Sequence, residues 1–80
     1  GMSAKGDRYR QGVHKANETI SGWLSQGDSA KVAMRKANEC HEAFDYRQYR
    51  QIADGKDSEY ARGIAMGYGM YANTGLKLKG

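Results

Sequence analysis

Residues 59–73 spell a helix that is apolar nearly all the way round, and a helix of that kind has to be buried. At 100° per residue, Tyr60, Gly63, Ile64, Met66, Gly67, Tyr68, Met70 and Tyr71 form one arc of roughly 200°. What remains is Ala61, Ala65, Gly69, Ala72, Asn73 and a single charge, Arg62, beyond the starting Glu59. Gly63, Gly67 and Gly69 each cost about 1 kcal/mol relative to alanine inside a helix. The four-residue spacing of Gly63 and Gly67 cuts a notch in one face, where another backbone can approach and gain dispersion contacts. The occupant is either a helix of the same chain or the same helix of a second copy across a two-fold axis. Tyr60, Gly63, Ile64, Gly67, Met70 and Tyr71 are therefore the expected helix-packing or dimer interface. If the notch joins two copies, Gly67→Leu abolishes association.

Composition sharpens the need for a partner. The chain has 80 residues, of which Leu, Ile, Val and Phe together supply nine. That is about 11%, below the roughly 20% that separates folded from disordered chains. Eight aromatics, four methionines and many alanines can still fill a core. A single core of this size yields only a few kcal/mol, so a monomer is marginal and a homodimer is expected.

The rest of the chain reads as two further helices. From about residue 7 to 26, Tyr9, Val13, Ala16, Ile20, Trp23 and Leu24 share an arc of roughly 100°, opposite Gln11, His14 and Glu18. Gly27 stops this helix, and Asp28 or Ser29 caps the next. No proline occurs, and the next glycine is Gly55, so the second helix is expected over about 29–54. Ala30, Ala33, Met34, Ala37, Cys40, His41 and Phe44 share one face, whereas Tyr46, Tyr49 and Ala53 fall roughly 130° away. Either the helix kinks near Asp45 or it carries two apolar stripes. The expected fold is an all-α, three-helix antiparallel bundle: one domain over residues 3–75, then a short basic tail over 76–80. Gly1 ahead of Met2 reads as the remnant of a cleaved tag. The resemblance of His14-Lys15-Ala16-Asn17-Glu18 to Arg35-Lys36-Ala37-Asn38-Glu39 is confined to one pair of segments and reads as chance.

Catalytic equipment is not legible. Two histidines and Cys40 offer no C-x-x-C or H-x-x-x-H spacing, so no metal or cofactor is expected. Cys40 and His41 point about 100° apart on a helix, which denies the thiol a base. The pairs His14–Glu18 and His41–Asp45 suit a solvated face. Gly67-Tyr68-Gly69 has no phosphate-loop frame, and Glu39 with Glu42 lacks a reason for a raised pKa. An enzyme acting on a small-molecule substrate is not expected.

Binding is the remaining role. Tyr46, Arg47, Tyr49 and Arg50 have the composition of a partner-binding surface, because tyrosine and arginine anchor protein interfaces. The same side chains would equally serve a core with arginines paired to Glu42, Asp45 or Asp54. A net charge of +4, with the excess at Lys5, Arg8, Arg10, Lys77 and Lys79, keeps a small basic DNA-binding protein of phage, plasmid or bacterial regulatory type as the alternative. Against it, Lys31, Arg35 and Lys36 are followed on the second helix by Glu39, Glu42 and Asp45, which repel phosphate. A protein partner is preferred. A lone cysteine and the lack of an 18-residue apolar run or a leader point to the reducing cytoplasm and to no membrane span.

Overall fold

A computed structural model describes residues 4–44 and 58–79 of the chain. Its helices are α1 (Ala4–Ser25), α2 (Ala30–Ala43) and α3 (Ser58–Thr74), packed as a small all-α bundle with α3 at its centre. α1 runs along α3 for most of its length, α2 covers another flank of α3, and α1 and α2 touch only sparsely.

The elements end where local chemistry says they should. After α1, Gly27 takes φ +105°, and the chain closes with Asp28 N–H donating to the Trp23 carbonyl and Gly27 N–H to that of Leu24, both at 3.1 Å. This paired arrangement satisfies the last carbonyls, and the left-handed residue within it is a glycine because a Cβ strains that conformation. Of the two candidate caps, Ser29 starts α2, its Oγ accepting from Val32 N–H at 3.2 Å. α3 ends at Gly75, φ +72°, whose N–H donates to the Tyr71 carbonyl at 2.8 Å.

α2 is shorter than expected. It stops at Ala43, and Phe44 has left helical geometry at ψ 58°. In the sequence the apolar stripe shifts after Phe44, so the face that α2 turns toward α3 is not continued, and packing sustains short helices more than propensity does. Asp45, Tyr46, Arg47, Tyr49 and Arg50 lie outside the described residues.

α1 and α3 run parallel, because their contacts advance together: Gly12 meets Tyr60 and Ile64, Ala16 meets Gly67, and Ile20 shares a buried cluster with Tyr71. α2 runs the other way, with Met34 beside Gly75 and His41 beside Ala65 and Gly69. The Gly63–Gly67 notch is thus filled from within the chain. A Cβ on Gly63 would lie 2.1 Å from the Tyr9 carbonyl oxygen, and one on Gly67 2.7 Å from the Ala16 Cβ. Gly67→Leu would therefore strike α1 of its own chain, and it cannot separate association from folding.

The contact is reciprocal. A Cβ on Gly12 would lie 2.1 Å from the Tyr60 carbonyl oxygen, matching what one on Gly63 meets at Tyr9. The guanidinium of Arg8 sits 4.4 Å from the Tyr60 ring centre, and that of Arg62 sits 4.6 Å from the Tyr9 ring centre. Such cation–π contacts are worth about 0.5–1 kcal/mol each at exposed sites. The face of α1 is the expected one, with Val13, Ala16 and Ile20 buried and Gln11, His14 and Glu18 exposed, but Gly12 joins it.

Beyond the glycine crossing, side chains take over from backbone. Ile20, Ala33, Ala37 and Tyr71 form the buried cluster, flanked by Trp23, Leu24, Met34, Tyr68 and Ala72. Trp23 stacks on Tyr68 with ring centres 6.1 Å apart. The buried side of α3 is rotated from the expected arc: Ala61, Gly69 and Tyr71 are buried with Gly63 and Gly67, while Met66 and Met70 face out. Small residues form the flank toward α2, where the His41 ring rests on Gly69 and its Nδ1 lies 3.0 Å from the Ala65 carbonyl oxygen. A carbonyl only accepts, so this bond needs the proton on Nδ1.

Gly22 differs from the crossing glycines, because a Cβ there meets nothing within 4 Å. Gly22→Ala is expected to stabilise the fold by about 0.5–1 kcal/mol through helix propensity, raising the melting temperature by about 4 °C. Thermal unfolding followed by circular dichroism checks it.

Candidate interaction surfaces

α3 presents one open sector, roughly 80° wide, containing Arg62, Met66, Met70 and Asn73. Met66 is 46% exposed and Met70 36%. The two are four residues apart and so stack along the same edge. Leu76, past the end of the helix, is 69% exposed. Arg62 at the start of this edge bonds Glu59 at 3.0 Å while it covers Tyr9.

The six residues expected at the notch have separate placements. Gly63, Gly67 and Tyr71 are buried within the chain, and Tyr60 and Ile64 are half-buried beside α1. Met70 alone faces out. The feature hidden from hydrophobic periodicity was Gly12, which has no side chain to register. A pattern match would have found it: Tyr9-x-x-Gly12-Val13-x-x-Ala16 and Tyr60-x-x-Gly63-Ile64-x-x-Gly67 follow one template.

Several basic side chains are engaged internally. Arg10 pairs with Asp7, and Arg8 bonds Gln11 while it covers Tyr60. Lys36 bonds Asp28 at 2.6 Å, with its ammonium 5.8 Å from the Trp23 ring centre. On α2, the potential phosphate contacts named above thus include one already held by a carboxylate. Two shallow depressions on the outer face of α1 share Arg10 and His14, the latter 3.0 Å from Glu18.

The basic tail folds back on α1. Asn17 Nδ2 donates to the Leu78 carbonyl at 2.9 Å, and Lys77 Nζ donates to Ser21 Oγ. Asn17 Oδ1 is buried with no hydrogen-bond partner.

Cys40 is half-buried, and burial, then the nearby Glu39 carboxylate, push its thiol above the usual value. Burial likewise raises the Tyr68 hydroxyl, although a hydrogen bond with Thr19 opposes it. Both shifts favour the protonated form. Their contribution to stability is complete below the ordinary pKa values and is lost as pH climbs through the folded ones. A raised thiol is a poor nucleophile at neutral pH. Among the described residues, no group of three or more His, Cys, Asp or Glu side chains is placed to hold a metal ion, and no helix is long and apolar enough to cross a membrane. Compared with known protein families, with characterised proteins and with solved structures, the chain finds no match.

Proposed function

We propose that this protein is a non-enzymatic interaction module that binds a protein partner through the outer edge of α3, and that it works as a homodimer. The supporting observation is the Met66–Met70 edge on a helix whose other sides are covered by α1 and α2. Methionine suits such a role, because its unbranched side chain moulds itself to a partner and carries a polarizable sulfur. The engagement of Arg8, Arg10 and Lys36 within the chain weighs against a phosphate-binding face.

The test is capture from host lysate, comparing the wild type with a Met66→Glu/Met70→Glu variant. Both side chains are exposed, so the variant should keep its helical circular dichroism. It should lose a partner that the wild type retains after nuclease treatment. Retention should also persist from about 50 to 200 mM salt, a range over which phosphate-driven binding weakens steeply. Nuclease-sensitive capture, or capture that both forms achieve equally, would overturn the reading.

A further inference from the structure

We infer that two copies of this chain join by exchanging α1, each α1 packing on the α3 of the other. The inference rests on the homodimer clause of the proposed function and supplies its mechanism. Helices joined by a tight turn ordinarily pack on each other as a hairpin. Here α1 and α2 barely touch, and α1 spends its contacts on α3. What ties α1 to α2 is the Gly27 turn, with its two backbone hydrogen bonds to Trp23 and Leu24, the Lys36 ammonium over the Trp23 ring, and the small cluster that Ile20 shares with Ala33 and Ala37.

If residues 26–29 adopt helical geometry, α1 and α2 become a single rod about 60 Å long at 1.5 Å per residue. α1 then points away from its own α3 and reaches only the α3 of another copy. Two-fold exchange remakes the α1–α3 contacts: Gly12 against Tyr60, Gly63 against Tyr9, Ile20 against Tyr71, and Asn17 with Leu78 of the tail. The balance between closed monomer and exchanged dimer is then set by the turn and by concentration.

The occupant is specific. An exposed α3 offers a notch that admits backbone at Gly63, and the helix cut to match it is one carrying Gly12 and Ala16 at the right register. A second copy of this chain supplies that helix. The Met66–Met70 edge stays outward in the exchanged form, so the dimer offers two of them, and binding to a bivalent partner gains from effective concentration.

The experiment reads mass by light scattering from micromolar to millimolar chain, for the wild type and for Gly27→Ala. At φ +105° alanine strains the closed turn, whereas a helical hinge accepts it. The variant should therefore dimerise about tenfold or more tightly than the wild type. In a mixture of isotope-labelled and unlabelled chains, half-filtered spectra should show intermolecular contacts between Ile20 methyls and the Tyr71 ring. Monomeric mass for both proteins throughout the range overturns the exchange, and so does a dimer without the intermolecular Ile20–Tyr71 contact. Met66→Glu/Met70→Glu should leave the exchanged dimer intact, so a loss of partner capture and a loss of exchange are read separately.

Discussion

Gly63→Ala should destabilise the fold by about 2 kcal/mol net and lower the melting temperature by about 8–16 °C. Two effects oppose each other. Alanine gains about 1 kcal/mol over glycine from helix propensity. Its Cβ, however, would stand 2.1 Å from the Tyr9 carbonyl oxygen and 2.9 Å from Val13 N, both backbone atoms that no rotamer change can move aside. The helices must separate instead, and forcing extra volume into such a site costs about 3 kcal/mol. Gly12→Ala should behave alike, since it meets Tyr60 O at the same distance. The double variant should lose less than the sum, because one helix displacement relieves both clashes. Chemical denaturation of the two single variants and the double variant measures this. A stabilised Gly63→Ala protein would refute the close crossing.

The second large effect is expected at Ile20. It is fully buried, and its cluster partners include Ala33 and Ala37, whose short side chains cannot swing in to refill a void. Ile20→Ala should therefore cost about 3 kcal/mol, within the range for large-to-small core changes, and Ile20→Val only about 1 kcal/mol. In a domain with a few kcal/mol in total, the alanine variant should lose its cooperative thermal transition. The valine variant should keep it. Equal stability of the two, read by denaturant titration, would show that the cluster does not hold the bundle together.

Periodicity made the bundle and the α1 face legible, since Val13, Ala16 and Ile20 announce themselves by volume and spacing. Ser29 and Gly27 were equally readable, as caps with a mechanism. The end of α2 was half readable: the shift of apolar residues after Phe44 was visible, but with no glycine before Gly55 there was nothing to mark a stop. The orientation of α3 was misread for a different reason. Its flank toward α2 is made of Ala65, Gly69 and Ala72, which a ranking by hydrophobic bulk places last, so the arc containing Met66 took their place. Close packing selects small residues, and a reading by bulk is blind to them. The expected partner surface at Tyr46–Arg50 falls outside the described residues, and the Met66–Met70 edge emerged only when the neighbours of α3 were known.

The crossing at Gly12 and Gly63 also bears on how this fold responds to temperature. Unfolding changes heat capacity mainly by wetting hydrocarbon, and exposed peptide groups act in the opposite sense. Where two main chains lie against each other, unfolding wets more amide and less hydrocarbon than an interface of the same size built from leucines. The stability of this bundle should accordingly be a shallow function of temperature, with cold costing it less than a domain of equal length with an aliphatic centre.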